Sequence, residues 1–210
     1  PIVSFLPSLE ENGLIEEVDL CIFEKICAQI NQWIQKYGRK IHISVNLSRC
    51  AFDYRYFFKD YVERYDKSPC PKDCIEFELL ESIVLNQVDR VKEVVSEIKD
   101  FGFSCSLDDF GSGYSSFSVL TNSDISTLKI DRSLFRNVTD SREKILLRHV
   151  LQTAQELHMK TVAEGVETQE YVEFLKELDC DYVQGYVYYR PMPPEEFEER
   201  FLIRNEKIDL

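Results

Sequence analysis

The feature that most restricts the fold is an alternation of short apolar runs with amphipathic helical segments. The strand-like runs are Ile41–Asn46, Cys74–Leu80, Phe103–Leu107, Thr127–Ile130, Lys160–Ala163 and Tyr182–Gln184. Around and between them, apolar spacing predicts helices over Val18–Tyr37, Phe52–Tyr65, Gln87–Phe101, Arg142–His158 and Gln169–Leu178. In the first helix Leu20, Phe23, Ile26, Ile30, Trp33 and Ile34 recur at helical intervals and mark one buried face. Thr168 reads as the N-cap of the last helix. Strand–helix units repeating at roughly 30-residue intervals predict an α/β fold of parallel strands with right-handed crossovers. A closed parallel barrel has eight strands. With six strand candidates, the expectation is a (β/α)8 TIM-type barrel lacking its first two strands, or an open version of one. Pro1–Leu14 reads as a loop, and Pro193–Leu210 as a polar cap or tail on a single domain spanning 1–210.

Composition narrows the function classes. An apolar content of 44% over 210 residues suffices for one sizeable core. A net charge of −13 argues against a nucleic-acid polymer as partner, because such binding leans on Lys/Arg patches. An acidic chain can still hold a phosphate compound when a metal mediates the contact. The seven cysteines (21, 27, 50, 70, 74, 105 and 180) are odd in number and mostly sit in apolar segments. They read as reduced thiols used as small hydrophobes, which predicts a cytoplasmic setting. Cys70 and Cys74 form a single Cys-x3-Cys with no second pair, a weak zinc signal. No run approaches the ~18 apolar residues of a membrane span, and no signal-peptide pattern is visible. Neither observation bears on segments that precede Pro1 in a longer protein, including one anchored in a membrane.

The chemistry gathers where the strands end. In order, the strands carry Asn46, Glu78, Asp108 with Asp109, Lys129, Glu164 and Gln184 at or just past their C-terminal ends. A parallel barrel collects its catalytic groups there and fills its interior with apolar layers. Asp108 and Asp109 are adjacent, and neighbouring strand residues point to opposite sides, so both carboxylates can aim at one place only if the strand ends there. Like charges side by side are costly without a cation between them, and a divalent metal is the economical answer. Asp-Asp before Phe-Gly is also an ordinary surface turn. Six successive strands ending in ligating or proton-moving groups favour the functional reading.

Asn46, Glu78, Asp108 and Asp109 are hard oxygen donors suited to Mg²⁺ or Mn²⁺. No His or Cys stands at a strand end, which argues against an imidazole-type zinc hydrolase; His42, His149 and His158 read as packed or solvated. Lys129 is either a charge-balancing ion pair or a cation that activates water and steadies developing negative charge. Glu164 and Glu167 supply a second acidic pair, one to ligate a second metal and the other to orient neighbours. Glu167 also reads as a helix-start carboxylate favoured by the macrodipole. Two bridged metals suit phosphodiester hydrolysis. An enolase-type lyase also uses barrel-end carboxylates and a lysine base, but the adjacent Asp-Asp and the motif string disfavour it.

At these residues the chain resembles the EAL-domain family of cyclic di-GMP phosphodiesterases. The matching stretches are Ser44-Val45-Asn46-Leu47-Ser48, Glu78-Leu79-Leu80-Glu81-Ser82, the run Leu107–Ser116, Leu128-Lys129-Ile130-Asp131, the run Ala163–Thr168, and Gln184-Gly185-Tyr186. Order and spacing agree from about Pro1 to Pro191. The resemblance implies a modified TIM barrel and hydrolysis of cyclic di-GMP to linear pGpG, with Mg²⁺ or Mn²⁺ as cofactor and Ca²⁺ as inhibitor. It implies that Asn46, Glu78 and Asp108 ligate one metal and that Asp108, Asp109 and Glu164 serve the second. It places Lys129 on the attacking water and Gln184 in the water or metal network. It makes Glu81 the anchor of the loop from Asp109 toward Leu120, and that loop with the following helix the route to a homodimer. A role in bacterial signalling and biofilm control, within a larger and even membrane-anchored sensor, belongs to the same implication. Two departures stand out: Leu80 replaces the usual Thr, and the Glu-Ala-Leu motif is absent from these residues. The alternative they leave is an inactive cyclic di-GMP receptor or interaction module.

Overall fold

The computed structural model describes residues 9, 12–49, 52, 56–113, 120, 124–137 and 141–206. These form two compact units, one from the residues up to Asp108 with 120 and 124–126, the other from 109–113 and the residues from Thr127 onward. Six strands lie among the described residues: β1 Ile43–Asn46, β2 Ile75–Leu80, β3 Ser104–Phe110, β4 Thr127–Ile130, β5 Lys160–Ala163 and β6 Tyr182–Val183. The first unit holds β1, β2 and β3 as far as Asp108, and the second holds β4, β5 and β6. The α/β class and the sequential parallel strands are those expected from the sequence.

In the first unit, α1 (Ile15–Tyr37) ends on Gly38 in the left-handed conformation, φ 66°, whose N–H donates to the Ile34 carbonyl. Helix α2 (Phe57–Tyr65) packs on α1. Of the helix expected over Phe52–Tyr65, Phe52 is helical and α2 runs from Phe57, while residues 53–55 lie outside the described residues. A 3₁₀ turn, Lys72–Cys74, leads into β2. A short helix missed in the sequence, α3 (Glu81–Asn86), follows β2 directly and precedes α4 (Val88–Phe101). Strands β1, β2 and β3 pair in parallel, with Asn46 level with Glu78 and Leu80 level with Asp108.

That register sorts the side chains of β1–β3 by face. One face carries Val45, Ile75, Phe77, Leu79, Cys105 and Leu107, all buried. Phe77 stacks on Phe23 of α1 at 5.6 Å and meets Tyr61 of α2 edge-on at 5.3 Å, so this face is the helix-covered core. The other face carries Ser44, Asn46, Glu76, Glu78, Leu80, Ser104, Ser106 and Asp108. The expectation of apolar layers on the acid-bearing side is therefore corrected. The fully buried apolar side chains of these strands lie on the helix side, and the acidic face is polar up to Leu80, which stands level with Asp108.

In the second unit, β4, β5 and β6 pair in parallel. A 3₁₀ turn, Arg132–Phe135, follows β4. Helix α5 (Ser141–Glu156) packs on β5 through a face that buries Leu147, Val150, Leu151 and Ala154. Helix α6 (Gln169–Glu177) starts after Thr168, which has extended backbone at the N-cap but makes no capping hydrogen bond with its side chain. The C-terminal segment is more ordered than a tail: α7 (Pro194–Phe197) continues into a wider π-helical turn, Glu198–Ile203. Phe201 of that turn meets the Tyr189 ring edge-on at 5.0 Å.

The six described cysteines are unbridged, and Cys50 lies outside the described residues. Cys27, Cys70, Cys74 and Cys105 are buried, and burial pushes the Cys105 thiol up to about 12. His42 precedes β1 rather than lying within a strand, and it is exposed, as are His149 and His158.

Candidate active site

In the first unit, Asn46, Glu78 and Asp108 share the polar face of neighbouring strands. Asn46 is the last residue of β1, while Glu78 stands two residues before the end of β2. The Leu47 N–H donates to the Glu78 carbonyl at 3.0 Å and carries the ladder one residue past β1. Glu78 and Asp108 are both buried. Leu80 stands level with Asp108. Glu81 is buried at the first turn of α3. Residues 114–119 and 121–123, on which its anchoring role and the expected dimer contact fall, lie outside the described residues.

The Asp108-Asp109 pair does not work by ending the strand, because β3 continues to Phe110. Instead Asp109 adopts the left-handed conformation, φ 57°. Asp tolerates that region better than most residues, though it still stores strain. The twist breaks the two-residue alternation of the strand. One carboxylate oxygen of Asp109 then lies within 4.8 Å of one of Glu164, with Asp108 the preceding residue of the chain.

In the second unit, Lys129, Val162 and Tyr182 share one face in register. Glu164 and Gln184 extend that face by two residues each. The Glu164 N–H donates to the Ile130 carbonyl at 2.9 Å, and the Gln184 N–H to the Ala163 carbonyl at 2.8 Å. Lys129 Nζ lies 2.8 Å from Glu164 Oε1, with the side chains only 7% and 17% exposed. Both readings of Lys129 meet in this pair: it balances charge, and it is a buried cation beside the acidic cluster. Gln184 is exposed at the surface. Gly185 follows it where a Cβ would overlap the Val166 backbone, so only glycine permits this approach.

Glu167 stands apart from the three carboxylates. Its Oε1 lies 2.9 Å from Arg132 Nη1, with both side chains about half exposed. Arg132 also lies over the Tyr171 ring, Cζ to centroid 5.8 Å. Sequence reasoning missed Arg132, although it follows the Lys129-Ile130-Asp131 stretch by one residue. A cation two residues past a strand end, near an acid-rich strand end, was the available signal.

Two half-buried carboxylates this close, Asp109 and Glu164, suit a hard divalent cation. Fold and site together define a parallel α/β domain of the TIM-barrel kind with an acidic cluster at its strand ends. Within that class the chain belongs to the EAL domain family, whose model matches residues 2–191. It is 31% identical over 200 residues to the signaling protein YkoW of Bacillus subtilis (strain 168), covering 95% of this chain and 25% of that protein. It is 29% identical over 196 residues to the cyclic di-GMP phosphodiesterase NbdA of Pseudomonas aeruginosa, covering 93% of this chain and 25% of that protein. The chain thus spans about a quarter of the length of these relatives. The solved structure of the PaMucR phosphodiesterase in complex with c-di-GMP matches with a TM-score of 0.86 at 30% identity, over 94% of this chain and 80% of that one. No helix among the described residues is long and apolar enough to cross a membrane.

Proposed function

We propose that this chain carries the cyclic di-GMP-hydrolysing chemistry of its family, opening the cyclic dinucleotide to linear pGpG with Mg²⁺ or Mn²⁺. The observation that carries the reading is the approach of the Asp109 and Glu164 carboxylates, with Lys129 paired to Glu164. The match to a phosphodiesterase solved with c-di-GMP supports the substrate. Asp108, Asp109 and Glu164 would hold one divalent cation, and Asn46, Glu78 and Asp108 would serve another. When bound, such cations neutralise phosphoryl oxygens and lower the pKa of water at the site.

The chain's own residues supply the rest. Lys129, buried and cationic, holds the attacking water and steadies negative charge as the water oxygen bonds to phosphorus. The P–O3′ bond breaks, and the proton that the attacking water gives up passes to the released 3′ oxygen. Gln184, with a donor and an acceptor on one exposed amide, orients water at the same face. The Asp108-Asp109 charge density keeps the site selective for cations. Glu167 acts through Arg132 and the segment that carries Glu164.

A binding-only module is the second reading, and Leu80 level with Asp108 is the observation that favours it. Cyclic di-GMP and Mn²⁺ should be incubated with this chain and with one extended N-terminally by about 40 residues, the length of a further strand–helix unit. Chromatographic appearance of pGpG with either protein supports hydrolysis. Binding of cyclic di-GMP in Ca²⁺ without pGpG from either protein would move the chain to the receptor class.

A further inference from the structure

We propose that the 3₁₀ turn Arg132–Phe135 is a positioning clamp that sets the separation of the Asp109 and Glu164 carboxylates, a role that rests on the metal reading of that cluster. The turn is locally encoded. The Asp131 carboxylate accepts from the Ser133 N–H at 2.9 Å, closing an Asx-type cap.

One side of the turn holds the segment that follows Asp109. The Asp131 N–H donates to the Phe110 carbonyl at 3.0 Å, and the Ser133 hydroxyl donates to the Gly111 carbonyl at 2.8 Å. Gly111 is left-handed, φ 96°, and a Cβ there would overlap the Leu134 side chain. Asp131, Ser133 and Leu134 therefore fix Phe110 and Gly111, directly after the left-handed Asp109. That hold adds to the local turn, in which the Ser112 N–H donates to the Asp109 carbonyl at 3.1 Å, and keeps Asp109 in a region that a non-glycine residue leaves readily.

The other side of the turn holds the segment that follows Glu164. Gly165 is left-handed, φ 67°, and a Cβ there would come 3.3 Å from Arg132 Cβ. The Arg132 guanidinium then reaches past Gly165 to Glu167 at 2.9 Å. Alternate residues of one short turn thus grip the two acid-bearing segments. Two carboxylates within 4.8 Å repel, and a clamp on both backbones keeps them together before a cation arrives.

The test compares the parent chain with Ser133→Ala and Arg132→Gln, and with the conservative Ser133→Thr and Arg132→Lys. Arg132 is half exposed, so its variants keep the fold accessible. Calorimetric Mn²⁺ titration reads the cluster, and amide hydrogen exchange reads the clamp itself. Loss of either grip should weaken Mn²⁺ binding about tenfold, the scale of a lost outer-shell contact, and the conservative variants should restore most of it. Exchange should quicken at the Ser112 and Asp131 amides in Ser133→Ala and at Glu164 and Val166 in Arg132→Gln. Unchanged exchange overturns the clamp. Faster exchange with Mn²⁺ affinity within about twofold of the parent overturns its role in spacing the carboxylates. A parent that binds no Mn²⁺ overturns the metal reading instead, and the exchange rates still decide whether the turn grips.

Discussion

Phe77 in β2 and Lys129 in β4 are both buried strand residues, yet they are held by opposite kinds of energy. Phe77 sits among Phe23, Tyr61 and Phe103, with ring centroids at 5.6, 5.3 and 5.5 Å. That contact is broad and weakly directional, so apolar residues of similar volume can replace one another there. Lys129 has a charged partner, Glu164, at 2.8 Å. Removing either partner leaves the other charge buried, and no volume-matched substitute repairs it. The first region stabilises the fold without specifying a chemistry. The second is where the proposed chemistry rests, and it contributes little net stability.

Four changes test this contrast. Phe77→Ala should cost about 3–5 kcal/mol in urea unfolding, through a cavity at the centre of the aromatic cluster. A loss below about 1 kcal/mol would show that the cluster collapses readily and is not a rigid core. Lys129→Ala should lower kcat about 10²–10³-fold, with a much smaller loss of cyclic di-GMP affinity. Equal losses in both would recast Lys129 as a phosphate contact. Asp109→Gly should raise stability by about 1 kcal/mol in thermal unfolding by relieving left-handed strain, while abolishing Mn²⁺-dependent turnover. A destabilised variant would mean that the Asp109 carboxylate supports the fold as well as the site.

The smallest effect concerns Asp19 of α1. Burial holds its carboxyl above the usual carboxylate range, opposed by hydrogen bonds from Ser48. A raised folded-state pKa contributes stability that is full below the unfolded pKa and fades as pH rises through the folded value. Asp19→Asn should therefore remove a stability gain seen on acidification and be neutral to slightly stabilising at pH 7. Unfolding midpoints at pH 4 and pH 7 check the sign. An Asn variant that loses stability only at pH 7 would show that Ser48 outweighs burial.

Much of this was legible in the chain. Strands β4 and β5 fall at the expected residues, and β1, β2 and β6 within one or two of them. Apolar periodicity is set by which face is buried, and both faces here are simple. The short helix Glu81–Asn86 was missed because it follows β2 without a turn residue between them. The C-terminal helical turns were missed because their burial depends on aromatic partners such as Tyr189, distant in pattern though not in sequence. Among candidate residues, the strand-end positions of Asn46, Lys129, Glu164 and Gln184 were readable from strand length alone. The partner of Glu167 was not readable from its proximity to Glu164, because Arg132 reaches it from another segment.

By itself, the sequence determined the alternation of strands and helices, the family, and the acids that stand near strand ends. These follow from local periodicity and from motifs a few residues long. Only the tertiary structure decided how two adjacent aspartates come to aim at one place. The answer is a left-handed backbone at Asp109, followed by a segment gripped by residues more than twenty positions later in the chain. The tertiary structure likewise decided that Lys129 pairs with Glu164 and Arg132 with Glu167. Backbone strain and charge pairing depend on what packs against a residue, and that is set by contacts between elements, which spacing along one chain does not encode.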